Sequence, residues 1–163
     1  MKTAARLLIA FALLAPGALL AAGGGGGGAT PGATGTRPTD PLLESAMQAL
    51  TAENWPSAQT MMKELIARTP NDAEYHNLYA YSLRKGPNPD MSLVFKHYNE
   101  ALRLDPKSRN ANEYLGEAYL MVNNLPKAKE QLATLDKLCF FPCKEFSDLK
   151  KSIADYEAKT ASK

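Results

Sequence analysis

The sequence NWPSA at residues 54–58 decides the fold, because a close copy, NLPKA, occupies residues 124–128, 70 positions later. A weaker copy lies between them, where Met91 and Val94 take the places of the tryptophan and the alanine. The steps between the copies are 36 and 34 residues. Within each unit, apolar residues recur every three or four positions over two segments, which is the spacing of amphipathic helices. The sequence therefore predicts an all-α chain built from a repeated pair of helices.

Proline residues mark the joints between these predicted helices. Asp40-Pro41 reads as a helix N-cap followed by proline at the first helical position, where a missing N–H costs little. Pro56 and Pro126 stand at the start of the second helix of their units. The second unit is two residues longer, and we expect the extra residues to enlarge the turn at residues 86–90.

The third unit resembles the tetratricopeptide-repeat family through Leu115-Gly116-x-Ala118-Tyr119, followed by Ala128, Leu132 and Leu135. The resemblance implies a right-handed α-solenoid of about three helix-turn-helix repeats, at about residues 39–72, 73–108 and 109–142. The family's tryptophan near the start of the first helix is absent from every unit. A last amphipathic segment, with Phe146, Leu149, Ile153 and Tyr156 on one face, predicts a capping helix over residues 144–159. The folded domain is thus expected at residues 40–159.

Residues 1–22 read as a secretory signal peptide, with Lys2 and Arg6 before an apolar stretch and small residues at its end. A permanent membrane anchor is the alternative, but the apolar run is short for a span and Pro16 interrupts it. Residues 23–39 open with six glycines and predict a disordered linker. We therefore expect a periplasmic or secreted protein with no stable membrane insertion after signal cleavage.

Charge and motifs argue against several classes of function. Without Lys2 and Arg6 the chain has 17 basic and 17 acidic residues, so it lacks the positive field that binding to nucleic acid needs. His76 and His97 occur outside any catalytic or metal-binding motif and are interpreted as packing residues. The sequence predicts no enzyme activity, no cofactor and no metal site.

Cys139 and Cys143 bracket Phe-Phe-Pro at the joint before the capping helix. In an exported chain, such a pair reads first as a structural disulfide. Two alternatives stay open: a redox-active pair, although the spacing is not C-x2-C, and a metal site, although two thiolates fall short of four ligands.

The resemblance implies that the first helix of each repeat lines a concave groove that takes a peptide or a partner protein. The groove positions are Leu43, Met47, Leu50, Glu74, Asn77, Tyr81, Arg84, Lys85, Asn110, Glu113, Glu117, Leu120 and Met121. The family's clamp for a C-terminal carboxylate is absent, because Leu43, Met47, Leu78, Asn110 and Tyr114 stand at its positions. The expected function is a non-enzymatic scaffold or adaptor in the periplasm. The alternatives are an envelope assembly helper, for cytochrome maturation or secretion machinery, and a thiol or metal carrier that uses the two cysteines.

Overall fold

The computed structural model describes residues 40–162, and within that range every regular element is an α-helix. The predicted signal peptide and linker at residues 1–39 lie outside the described residues. The helices are α1 (Pro41–Thr51), α2 (Trp55–Arg68), α3 (Ala73–Lys85), α4 (Met91–Leu104), α5 (Arg109–Met121), α6 (Leu125–Leu138) and α7 (Lys144–Ala161). None of these helices is both long enough and apolar enough to cross a lipid bilayer.

Successive helices pack against one another as three hairpins, α1 with α2, α3 with α4, and α5 with α6. Between the hairpins, α2 contacts α3 and α4 contacts α5, while α3 and α5 also touch directly. Helix α7 packs on both α5 and α6. The chain is therefore a stack in which each hairpin covers the next, and α7 covers the last.

Polar side chains begin six of the seven helices, because the first N–H groups of a helix have no partner within it. The Asp40 carboxylate accepts from the Leu42 N–H at 2.9 Å, and Asp72 and Asp90 make the same contact two residues ahead in α3 and α4. Asn54 and Asn124 cap α2 and α6, and the side-chain oxygen of each accepts a hydrogen bond from the N–H three residues later. The predicted N-cap at Asp40 is confirmed.

The turns inside the first and third hairpins have the same backbone course. Glu53 and Asn123 are left-handed, with φ of 54° and 57°. The next residue donates back five positions in both hairpins, from Asn54 N to Ala49 O and from Asn124 N to Tyr119 O, each at 2.8 Å. In the second hairpin, residues 86–90 separate the helices, so the two extra residues do enlarge that turn.

Small residues at the helix crossings let the backbones approach closely. Alanines such as Ala58, Ala80 and Ala128 are fully buried, and larger apolar side chains such as Met62, Tyr98 and Leu135 fill the space beside them. In the third hairpin a glycine, Gly116, takes this role. The buried residues fall into three clusters along the stack, which is how a solenoid divides its core among neighbouring units.

Helix α7 buries one face, as its spacing predicts. Leu149 and Ile153 are buried, Phe146 is half-buried, and the Tyr156 hydroxyl donates to Asn123 Oδ1 at 3.2 Å. A disulfide joins Cys139 to Cys143 just before this helix, which is the interpretation that the sequence favoured. The segment that connects α6 to α7 is thereby closed into a five-residue loop.

Candidate protein-binding surface

The predicted groove residues lie on the first helices of the three hairpins and differ in how far they are buried. Five of these side chains are exposed, namely Met47, Glu74, Lys85, Asn110 and Met121. Four are half-buried, namely Leu43, Tyr81, Glu117 and Leu120, and the remaining four, Leu50, Asn77, Arg84 and Glu113, are buried. As the protein stands, these last four lie between helices instead of facing a ligand, so the surface open to a partner is narrower than the sequence predicted.

Arg84 is the centre of a buried polar network that joins four helices. Its Nε donates to the Tyr98 hydroxyl at 3.2 Å, and its Nη2 lies 2.8 Å from Glu117 Oε2. The other Glu117 oxygen accepts from Ser152 Oγ of α7 at 3.3 Å. Burial raises the pKa of Tyr98 well above its usual range, which keeps the hydroxyl protonated beside the guanidinium. Arg84 and Glu117 therefore hold α3, α4, α5 and α7 together, a role that their positions on separate helices conceal in the sequence.

A row of half-buried aromatic rings crosses from the first hairpin to the third. The ring centroids of Trp55 and Tyr81 are 6.0 Å apart, and those of Tyr81 and Tyr114 are 4.9 Å apart. The Arg84 guanidinium lies 5.6 Å from the Tyr81 ring centroid and 5.5 Å from that of Tyr114. Burial raises the pKa of Tyr114 to about 12, so its hydroxyl is a donor at any physiological pH. Tyr81 is one of the predicted groove residues, and Tyr114 stands at a position of the family's carboxylate clamp, which this sequence lacks.

Exposed methionines stand on the first and the last of the groove helices. Met47 of α1 is 44% exposed and Met121 of α5 is 47% exposed. A shallow depression beside Met47 is lined by residues of α1 and of the turn after it, Glu44, Gln48, Thr51 and Ala52. The exposed and half-buried groove residues, together with Trp55 and Tyr114, form a surface that we call the docking face. It combines flexible thioethers, aromatic rings and a few polar groups, a mixture suited to protein contacts.

A second exposed apolar feature lies on the disulfide loop, between α6 and α7. Phe140 and Phe141 are 95% and 75% exposed, with ring centroids 5.0 Å apart. A cavity of about 220 Å³ beside them is lined by Asp136, Pro142 and Phe146 as well as the loop. This surface is not among the predicted sites, although two adjacent phenylalanines between paired cysteines are a visible signal in the sequence.

Solved structures resemble the chain, whereas no family model and no curated protein sequence matches it. The TPR2B domain of yeast Sti1, in a complex with pHsp70, has a TM-score of 0.65 at 19% identity over 73% of this chain and 95% of that one. The Yersinia enterocolitica type III secretion translocator chaperone SycD has a TM-score of 0.65 at 14% identity, covering 74% and 84%. SycD bound to a peptide of the translocator YopD scores 0.61 at 17% identity, covering 76% and 93%.

The protein is thus a helical-repeat solenoid, a class in which hairpins stack in one direction and each contacts only its neighbours. Its fold is the tetratricopeptide-repeat fold, in about three units with a C-terminal capping helix. This confirms the predicted fold class and the resemblance from which it was drawn.

Proposed function

We propose that the protein is a non-enzymatic interaction module whose docking face holds a peptide or a partner protein. The observation that carries this proposal is the half-buried aromatic row, Trp55, Tyr81 and Tyr114, flanked by exposed Met47 and Met121. Half-buried rings offer large apolar area that is already ordered, so a partner gains contact without the cost of immobilising flexible side chains. The exposed Glu74, Lys85 and Asn110 beside them supply polar contacts that select among partners.

The structural neighbours support a partner of this kind. SycD is a chaperone with a solved peptide complex, and the Sti1 domain was solved as a complex as well. An extended peptide or an amphipathic helix is the ligand form that such a surface accommodates best. The likeness to SycD also favours the more specific hypothesis of an assembly helper, in which the bound partner is a component of secretion machinery.

We place the protein in the bacterial periplasm or outside the cell, on the basis of residues 1–22. The expected result of expressing the full chain is a periplasmic product whose N-terminus lies shortly after residue 22, as measured by intact mass. A product that keeps Lys2 and Arg6 and stays with the cytoplasmic fraction would contradict this location.

Photo-crosslinking tests the docking face directly in the full chain. A crosslinking amino acid at Met47 of α1 is compared with one at Ala67, an exposed position on α2. We expect specific adducts from position 47 and few from position 67, and mass spectrometry of the adducts identifies the partner.

Affinity for that partner is then measured with matched charge substitutions. Lys85→Glu changes an exposed side chain of the docking face, and Lys63→Glu makes the same change on α2. We expect Lys85→Glu to weaken binding several-fold and Lys63→Glu to leave it unchanged. Equal adducts from positions 47 and 67, or equal affinities of Lys85→Glu and Lys63→Glu, would show that the partner binds outside the docking face.

The thiol or metal carrier remains the alternative from a different class. In the structure Cys139 and Cys143 are joined to each other, and residues 40–162 show no cluster of three or more metal-ligating side chains. Thiol titration of the native protein separates the two functions. Thiols that react only after reductant is added, with partner affinity unchanged by reduction, support the interaction module, whereas two reactive thiols or one bound metal per chain support the carrier.

A further inference from the structure

Two histidines, one from each helix of the second hairpin, meet end to end. The Nδ1 atoms of His76 in α3 and His97 in α4 are 2.8 Å apart, and the ring planes differ by 20°. The ring centroids are 5.1 Å apart, which is the N–N distance plus about one ring radius on each side. That is the largest separation which this contact permits. The rings therefore lie in line and nearly coplanar, which is the geometry of a single N–H···N hydrogen bond.

The position of one proton follows from a second contact. His76 Nε2 lies 2.9 Å from the carbonyl oxygen of Pro70, and a carbonyl can only accept, so His76 Nε2 carries a hydrogen. In the neutral form, His76 Nδ1 is then the acceptor and His97 Nδ1 is the donor. A first added proton binds His97 Nε2 and leaves the bond intact. A second added proton can bind only His76 Nδ1. Two N–H groups would then face each other, and the hydrogen bond between the rings would be lost.

The surroundings of the pair oppose added charge. His76 is 6% exposed, and the Tyr79 ring meets the His97 ring edge-on at 4.7 Å. Burial, then His76 and then Lys96, lower the pKa of His97 from 6.5 to about 4, while Glu100 acts in the opposite direction. Glu100 is itself held by Arg103 through bonds of 2.7 and 2.8 Å. Of these neighbours, Lys96, Glu100 and Arg103 belong to α4, whereas His76 belongs to α3.

The histidine bridge connects more than one hairpin. Pro70 lies in the turn that follows α2, so His76 joins the end of the first hairpin to α3, and His97 extends this connection to α4. We propose that the His76–His97 bridge is a pH-sensitive lock between α3 and α4 of the second hairpin. It is closed when the pair carries no more than one added proton and released when acid adds the second. Because α3 carries Glu74, Tyr81 and Lys85 of the docking face, a change in its packing on α4 alters that face.

Nuclear magnetic resonance of the imidazole nitrogens in the full chain tests the bridge itself. Near pH 7 we expect one Nδ1–H that shows scalar coupling to the Nδ1 of the other ring. On acidification the first added proton should enter His97 well below its ordinary pKa of 6.5, and the Nδ1–Nδ1 coupling should persist until the second proton enters. Two histidines that titrate independently near that value would overturn the proposal.

Paired spin labels test whether the bridge holds α4 on α3, which the Pro70 contact attaches to the first hairpin. The chain holds no cysteine besides Cys139 and Cys143, so Lys63→Cys on α2 and Asn99→Cys on α4 give two exposed labelling sites. We expect the distance distribution between them to stay narrow from pH 7 to about pH 4, where only the first proton enters, and to broaden reversibly below that pH. In the His97→Gln background, where position 97 keeps an amide but cannot titrate, the distribution should not depend on pH.

A control pair within the third hairpin, Asn110→Cys and Ala133→Cys, separates local release from general acid expansion. We expect its distances to stay constant over the same range. A distribution between positions 63 and 99 that ignores pH would overturn the lock. So would a change that persists in His97→Gln, or one that appears equally in the control pair.

Discussion

Glu53 and Asn123 occupy equivalent turns with nearly the same positive φ, yet only Asn123 is a residue type that tolerates this conformation. A left-handed φ costs an ordinary L-residue roughly 1–2 kcal/mol, and asparagine or glycine much less. The Glu53 side chain is exposed, so replacing it removes no contact with the hydrophobic core. The strain at this position is therefore a local property of one residue in an otherwise well-matched turn.

Glu53→Gly should stabilise the protein by about 0.5–1 kcal/mol, because relief of the left-handed strain exceeds the added chain entropy of glycine. Urea denaturation followed by circular dichroism measures the difference. The neighbouring Ala52→Gly, at a φ of −79°, is the matched control and should lose about 0.5–1 kcal/mol. Equal losses at both positions would show that the backbone of residue 53 is not strained in solution.

Between elements, Gly116 of α5 lies directly against Leu149 of α7. A Cβ on Gly116 would lie 2.5 and 2.8 Å from the two methyl carbons of Leu149, which is fully buried. The glycine of the third unit is therefore needed because α7 rests directly on it. Helix α7 thus packs on α5 much as another repeat would, and it removes the exposed end of the stack from water.

Gly116→Ala should cost about 1–3 kcal/mol through overpacking, and Leu149→Ala about 2–5 kcal/mol through the cavity that it leaves. Because the added methyl would partly fill that cavity, the double variant should lose less than the two single variants together. A double-mutant cycle by chemical denaturation measures the coupling. Strict additivity would mean that α7 does not rest on Gly116 in solution.

The disulfide acts on the loop between α6 and α7, while apolar burial keeps α7 docked. Replacing both cysteines, Cys139→Ser with Cys143→Ser, should cost only about 2 kcal/mol because the closed loop is short. Leu149 and Ile153 remain buried, so the amides of α7 should stay protected from hydrogen exchange. Loss of protection throughout α7 in this variant would show instead that the disulfide is what keeps the helix in place.

At the scale of the whole molecule, the buried Glu113 and the half-buried His97 give the stability opposite dependences on pH. Burial, followed by Glu117 and Asp148, raises the pKa of Glu113 from 4.5 to about 7, against the effect of Lys144. The folded state then binds this proton more tightly than the unfolded state. The resulting stability is complete below pH 4.5 and is lost as the pH rises through 7. His97, with its lowered pKa, contributes above pH 6.5 and loses that contribution as the pH falls toward 4.

Glu113→Gln should therefore stabilise the protein at pH 8 by about 1–2 kcal/mol, allowing for solvent screening, and change little at pH 4. Denaturation midpoints at both pH values measure it, with the exposed Glu44→Gln as a control that should show neither effect. The variant should also unmask a fall in stability between pH 6.5 and 4 that comes from His97. A difference that does not depend on pH would contradict the raised pKa of Glu113.

Much of the architecture could be predicted before any coordinates, because helix signals are local. The period of NWPSA and NLPKA, the cap at Asp40 and the proline joints each depend on residues a few positions apart, and they define the hairpins. The candidate site could be predicted only in part. The helices that carry it, with Met47 and Met121 among the groove positions, came from the resemblance to the tetratricopeptide-repeat family, and the exposure of the two methionines came from the structure.

Only the tertiary structure determined which polar residues are buried. Periodicity places Arg84, Asn77 and Glu113 on a helix face, but whether that face meets water or another helix depends on how far each hairpin overlaps the next. The same holds for His76 and His97, which lie 21 residues apart in the chain and share one hydrogen bond. Sequence periodicity reports the direction of a side chain around its own helix axis, and only the packing of separate helices reports what that side chain meets.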